Sequence, residues 1–207
     1  VKFYGIEPSD KMLEEAMLKS DKIKWLIGSA ELIPAGDNVF GGAIAVLTIH
    51  HWKNIEKSFN ELSRVLKKGS HVVIFTSTPQ QMNGYWLNAY FPKMLKASIT
   101  KMPSENILEA AANKAGFKLI KTEKYCIRKD LNDLFLYSGK HNPEIYFQPE
   151  VRNGISSFAT LANQNEILAG LNGLRRDIST ECFLNIKQQY ENDFGDYLFI
   201  VFKRNAS

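Results

Sequence analysis

The strongest constraint on this chain is a pair of short apolar runs without polar alternation. They are Ala43-Ile44-Ala45-Val46-Leu47-Thr48-Ile49 and His71-Val72-Val73-Ile74-Phe75-Thr76. A strand that faces water on one side alternates apolar and polar residues. A run without alternation predicts a strand covered on both faces, as in a parallel sheet flanked by helices. Between the runs, Asn54 stands as a helix cap before Ile55, Phe59, Leu62, Val65 and Leu66, an apolar stripe at helical spacing. The stripe ends at Lys67-Lys68-Gly69, which predicts a helix stop with cations in its last turn and glycine just past it.

The same alternation runs through the first two thirds of the chain. Val1 to Ile6 reads as a strand, Pro8 disfavours helix at Glu7, and Ser9 caps a helix carrying Met12, Leu13, Ala16 and Met17. Ile23 to Ile27 is a further strand, closed by Gly28. Ser104 caps a helix that Gly116 stops, Lys118 to Ile127 resumes strand character, and Tyr197 to Phe202 is the last strand. The order predicts an α/β fold, a doubly wound and mostly parallel sheet. Residues 131–190 read as a helical insertion before the last strand, within one domain spanning 1–207.

Composition narrows the partners. Lys plus Arg is 26 and Asp plus Glu is 22, a net charge of +4 without a basic track that interleaves aromatics, so nucleic acid is not an expected partner. The stretch Lys114, Lys118, Lys121, Lys124, Arg128 and Lys129 reads as a solvated face. No apolar run reaches membrane-spanning length, and no membrane partner is expected. Two cysteines, Cys126 and Cys182, make neither a metal cluster nor a disulfide framework, which points to a reducing, cytoplasmic setting. A monomer or homodimer is expected.

In an open α/β sheet, ligands bind outside the carboxyl ends of the strands. Here that rule selects Glu7, the turn Gly28-Ser29-Ala30-Glu31, and Thr48-Ile49-His50-His51-Trp52. Two of these have plainer alternatives: Glu7 as an acid facing solvent, and the histidines with one packed against Trp52 and the other hydrogen-bonded to a loop carbonyl. The order of the motifs adds to them. Val1-Lys2-Phe3-Tyr4-Gly5-Ile6-Glu7-Pro8-Ser9 with Met12-Leu13, then Gly28 to Pro34 with Asp37-Asn38-Val39-Phe40, then Ile49-His50-His51-Trp52, Glu61 and Arg64 to Gly69, stand in sequence. Together they resemble the S-adenosylmethionine-dependent methyltransferases with a Rossmann-like fold, of the ubiquinone/menaquinone-biosynthesis type that acts on small molecules.

The resemblance implies roles. Glu7 would hold the ribose hydroxyls of S-adenosyl-L-methionine, with Ser9 and Met12 against the adenosine. Ala30 would bind the adenine through its backbone N–H, and Ser29 or Glu31 would reach the exocyclic amine. Thr48 and Ile49 would lie beneath the methionine part, with His50 and His51 at the mouth of the transfer site, either one a candidate general base. A metal is not expected, because no third ligand sits at a sensible spacing from the adjacent histidines. For the acceptor, Trp52, Tyr85, Trp86, Tyr137, Arg152 and Phe158 are candidates, and 131–190 is expected to act as a substrate lid. Tyr85, Trp86, Tyr90 and Phe91 read equally well as a helix face packed on the core.

The family's first motif, a strand with a Gly-rich turn, has no counterpart here. The resemblance therefore places that N-terminal strand and helix before Val1, and the chain is expected to be a piece of a longer protein. Two rival readings remain at this point: a catalytically degenerate member that only binds a partner, and a nicotinamide-dependent dehydrogenase. The dehydrogenase gives the Ser29-Ala30-Glu31 turn and the His50-His51-Trp52 run no role.

Overall fold

The computed structural model describes residues 1–206. They divide into two compact units. One comprises Val1–Phe75, Glu105–Thr122 and the chain from Ile200; the other comprises Thr76–Ser104 and Glu123–Phe199.

The first unit holds most of the sheet. Strand β1 (Phe3–Glu7) leads into helix α1 (Asp10–Lys19), whose start is set by Ser9: its Oγ accepts the Met12 N–H at 3.4 Å. Strand β2 (Ile23–Ile27) pairs parallel to β1, from Phe3 opposite Ile23 to Glu7 opposite Ile27. After an irregular stretch come β3 (Phe40–Val46), a 3-10 turn at Ile49–His51, and helix α2 (Ile55–Val65). Asn54 Oδ1 accepts the Lys57 N–H at 2.9 Å and caps α2 as the sequence predicts. Strand β4 (Leu66–Thr76) returns parallel to β3, so β3-α2-β4 is a crossover unit. Helix α5 (Glu105–Lys114), the later strand β5 (Phe117–Tyr125) and the final strand β6 (Tyr197–Arg204) complete the layer. Gly116, at φ +82°, makes the left-handed stop after α5 that a side chain would strain.

The strands form a two-stranded sheet, β1-β2, and a four-stranded sheet in the order β3-β4-β6-β5. Tyr4 packs edge-on against Phe40 across the two, with ring centroids 5.3 Å apart. The α/β character holds, but two local expectations do not. β3 is an edge strand and is not covered on both faces: Ile44 is 78% exposed and Val46 55%. In β4, by contrast, Val72 and Ile74 are fully buried. The second difference is the end of α2. Lys67, Lys68 and Gly69 lie in the span of β4, not in a last helical turn. Leu66 is fully buried and already pairs with Phe40, and the ladder resumes with Gly42 opposite His71, so residues 67–70 bulge out. Arg64 is the cation of the last helical turn. The core is aromatic. Phe59 of α2, fully buried, meets Phe117 and Phe202 edge-on at 6.0 and 5.4 Å, a burial that contributes roughly 1.5–3 kcal/mol.

The second unit is mostly helical. It contains α3 (Pro79–Asn83), a 3-10 turn at Trp86–Ala89, α4 (Pro92–Lys101), α6 (Pro149–Gly154), α7 (Ser156–Thr160), α8 (Gln164–Ser179) and α9 (Cys182–Gln189). The helical character expected of 131–190 is present. That stretch makes one body with 76–104, however, which the sequence reading set apart from it. Trp86 explains why. It is fully buried among Tyr90, Tyr137, Tyr146 and Phe183, with centroids 5.0–6.0 Å away. Among the described residues, no helix is long and apolar enough to cross a membrane.

Gln81 is the polar keystone of this unit. It is buried, its Oε1 accepts the Thr78 N–H at 2.9 Å, and its Nε2 donates to the Phe194 and Tyr197 carbonyls at 3.0 and 2.9 Å. Replacing it with leucine strips partners from buried backbone groups. Gln81→Leu should cost about 1–3 kcal/mol for each group left unsatisfied. Denaturant unfolding with the slope unchanged measures it; a loss below about 0.5 kcal/mol would contradict the assignment.

Candidate functional site

The carboxyl ends of β1, β2 and β3 are strung together by hydrogen bonds, all within the first unit. The Gly28 N–H donates to the Glu7 carbonyl at 3.1 Å, the last rung between β1 and β2. The chain then turns at Ser29 to Leu32, whose backbones exchange two bonds of 3.1 and 3.2 Å. A Cβ at Gly28 would lie 2.6 Å from Pro34 Cδ, so only glycine admits this close return. From the tip of the turn, Glu31 Oε1 accepts the backbone N–H groups of Lys53 and Asn54 at 2.6 and 3.2 Å. Lys53 directly follows His50-His51-Trp52. Three segments that the sequence singled out therefore stand in one connected row.

A second set of bonds fixes the irregular stretch after the turn. Glu61 Oε2 accepts the Ile33 N–H at 3.0 Å. Arg64 holds both Glu61 oxygens at 2.8 Å, and also reaches the Ile33 and Ala35 carbonyls and Asp37 at 3.0, 2.7 and 2.9 Å. The Arg64 hydrogen bond, above all, holds the Glu61 carboxyl below its usual 4.5. At Glu31, burial alone would push the carboxyl up; the hydrogen bonds outweigh it, led by the Asn54 N–H, and the net direction is down.

The individual site residues stand as follows. Glu7 is half-buried, and its Oε1 accepts the Ser9 N–H at 3.0 Å, which fixes the carboxylate at the strand end. Met12 is 51% exposed on the first turn of α1. Thr48 precedes the 3-10 turn, and Ile49, 1% exposed, anchors it from below. The His50 and His51 rings lie side by side, centroids 4.0 Å apart and tilted by 45°. Trp52 packs edge-on against Phe59 at 6.1 Å. Glu31, read from the sequence as one of two choices for an adenine amine, has one oxygen committed to the start of α2.

The other acceptor candidates belong to the second unit, which the structure brings into one cluster. Tyr85 and Tyr137 stack at 3.9 Å and 11°, the Tyr137 hydroxyl accepts the Trp86 N–H at 3.3 Å, and Tyr146 touches both Trp86 and Phe158. Arg152 donates through Nη1 to the Tyr146 carbonyl. Tyr85, Trp86, Tyr137 and Phe158 are at most 3% exposed; for Tyr85 and Trp86 this matches the alternative reading of a packed core, and Tyr137 and Phe158, expected only as acceptor contacts, are buried in the same cluster. Burial pushes the Tyr85, Tyr137, Tyr146 and Tyr197 hydroxyls far above the usual tyrosine range, so all four stay protonated near neutral pH. Sequence reasoning did not single out Asp196. It is buried, accepts the Ile127 N–H at 2.7 Å, and is paired with Lys140 at 2.7 and 2.8 Å. A lone acid before an apolar strand carries no signal of partners 56 and 69 residues away.

The methyltransferase-domain family matches residues 1–74. Among solved structures, a putative methyltransferase from an antibiotic biosynthesis pathway of Anabaena variabilis is 31% identical, with a TM-score of 0.78, covering 96% of this chain and 80% of that one. A possible histamine N-methyltransferase of Thermotoga maritima shares the fold at 19% identity and a TM-score of 0.56, over 98% of this chain and 73% of that one. Among curated proteins, the ubiquinone/menaquinone biosynthesis C-methyltransferase UbiE of Cereibacter sphaeroides is 26% identical over 126 residues, 52% of this chain. The bifunctional biotin biosynthesis protein BioHC of Teredinibacter turnerae is 25% identical over 130 residues, 58% of this chain. The chain spans half the length of the former and 22% of the latter.

The lowered Glu61 carboxyl makes the tie at Arg64 pH-dependent. A carboxyl whose folded pKa lies below its unfolded value stabilises fully above the unfolded value, and the contribution disappears as pH falls through the folded one. Thermal melts should therefore show Glu61→Gln less stable than the parent near neutrality, with the gap closing as pH falls below 4.5. A gap that stays constant to pH 3, about a unit and a half below the ordinary carboxylate range, would contradict it.

Proposed function

The chain belongs to the S-adenosylmethionine-dependent methyltransferases, and on that premise we propose that it transfers a methyl group from S-adenosylmethionine to a small-molecule acceptor. The observation that carries the reading is the row of strand ends at Glu7, Ser29 to Glu31 and Thr48 to Trp52, tied through Gly28 and Glu31.

The side chains in that row suit the nucleoside half of the cosubstrate. Ser9 engages Glu7 Oε1, and Oε2 has no hydrogen-bond partner among the described residues, so it is left to accept from ribose hydroxyls. Met12 offers a polarisable, half-open side to the adenine ring. The backbone N–H of Ala30 and the hydroxyl of Ser29 serve the adenine edge. Glu31 supports them by holding the turn against α2, so contact with the exocyclic amine passes to Ser29. Thr48 and Ile49 lie under the methionine part. Bound S-adenosylmethionine supplies an electrophilic methyl on a sulfonium.

The protein's task is then alignment and proton handling. His50 and His51 follow directly on Thr48 and Ile49, and an imidazole there takes the proton of an attacking hydroxyl or amine near neutral pH. For a carbon acid already ionised, holding the acceptor in line suffices. Trp52 is the acceptor contact we favour: it is half-buried and directly follows the two histidines. Tyr85, Trp86, Tyr137 and Phe158 fill the interior of the second unit.

Calorimetry with S-adenosylhomocysteine tests the reading. In the native protein, Glu7→Ala should weaken binding by about 1.5–3 kcal/mol, the range for hydrogen bonds to a charged group, while Asp10→Ala leaves it unchanged. Equal affinity for the parent and Glu7→Ala would remove the ribose assignment. A labelled-methyl assay over small phenols, amines and carbon acids addresses the histidines. For a neutral hydroxyl or amine acceptor, alanine at the active histidine should slow transfer by about 10²–10⁴ with cofactor affinity intact. Losses under tenfold at both positions would leave positioning alone.

A further inference from the structure

Leu47 joins β3 to the 3-10 turn with φ at +49°, a left-handed backbone that crowds the Cβ of an L-residue against the following carbonyl. Glycine or asparagine would take this conformation more readily, yet the position is leucine. The geometry on either side is well held. The Leu47 N–H donates to the Phe75 carbonyl at 2.8 Å, a last rung beside β4. Beyond it, the Thr48 carbonyl accepts the His51 N–H at 2.8 Å, the Ile49 carbonyl accepts the Trp52 N–H at 3.2 Å, and Ile49 is buried.

The consequence lies in the direction of the side chains. Successive residues of an extended strand point to opposite faces. Were β3 to run on through residue 51, the imidazoles of His50 and His51 would be directed apart. A single left-handed residue ends the strand and lets the 3-10 turn begin, and the two rings come to lie 4.0 Å apart.

We propose that Leu47 is a positioning residue, whose left-handed backbone holds His50 and His51 side by side at the acceptor end of the site. The functional meaning rests on the methyltransferase reading above; the positioning itself rests on backbone geometry. The strain is thus stored next to the chemistry, where it fixes a pair of titratable rings.

The experiment is a nuclear Overhauser measurement between the ring protons of His50 and His51 in the labelled protein, for the parent and for Leu47→Gly, Leu47→Asn and Leu47→Val. Glycine and asparagine accept positive φ, whereas β-branched valine resists it. The proposal expects the ring-to-ring signal in the parent and in the glycine and asparagine variants, and its loss in a folded valine variant. A folded Leu47→Val with the full signal would overturn it. If valine prevents folding, the other two decide: loss of the signal in both would overturn the proposal, and retention in both supports it. Calorimetry with S-adenosylhomocysteine on the parent runs alongside. An absence of binding there would sink the methyltransferase reading and leave the backbone result standing on its own.

Discussion

The stretch between β2 and β3 has no ladder or helix to satisfy its backbone, and the first unit depends on how that need is met. Polar backbone groups out of water must find partners. Here the partners come from α2: Glu61 takes the Ile33 N–H, and Arg64 takes the Ile33 and Ala35 carbonyls. Glu31 returns the tie by holding the N–H groups that open α2. Two carboxylates and one guanidinium thus fasten a loop to a helix in both directions. Because α2 starts just past the histidine turn, the same bonds also set where that turn stands relative to the turn at Ser29 to Leu32.

Local structure was legible where one residue decides it. Ser9 and Asn54 cap their helices, Gly116 stops one, and Ile23–Ile27 is a strand over its predicted length. The misreadings came from partners distant in sequence. Lys67-Lys68-Gly69 has the composition of a helix end, but Leu66 is drawn into the ladder by Phe40, and the three residues bulge out of a strand instead. The apolar run in β3 predicts cover on both faces, while the described residues leave Ile44 and Val46 exposed. Periodicity reports what a strand is suited to, and the surroundings decide what it receives.

The candidate places were legible from the sequence, and their hydrogen bonds were not. The strand-end rule selected Glu7, the Ser29 turn and the histidine turn, and the structure links these places by hydrogen bonds. It could not tell that Glu31 turns one carboxylate oxygen to the N–H groups of Lys53 and Asn54, since nothing in a four-residue turn names partners 22 and 23 residues later. Nor could it separate aromatic residues that wall a pocket from those that fill a core. Tyr85, Trp86, Tyr137 and Phe158 have the chemistry of the first and the burial of the second. Their stacking fills the interior of the second unit.

The row from Glu7 through Ser29 and Ala30 to Thr48, Ile49 and His50 is proposed as the cofactor site. Amide chemical-shift mapping of the native protein during titration with S-adenosylhomocysteine tests it most directly. Saturable shifts are expected at residues 7–12, 28–31 and 47–52. Shifts confined instead to the helical second unit, for example along α8, would contradict it.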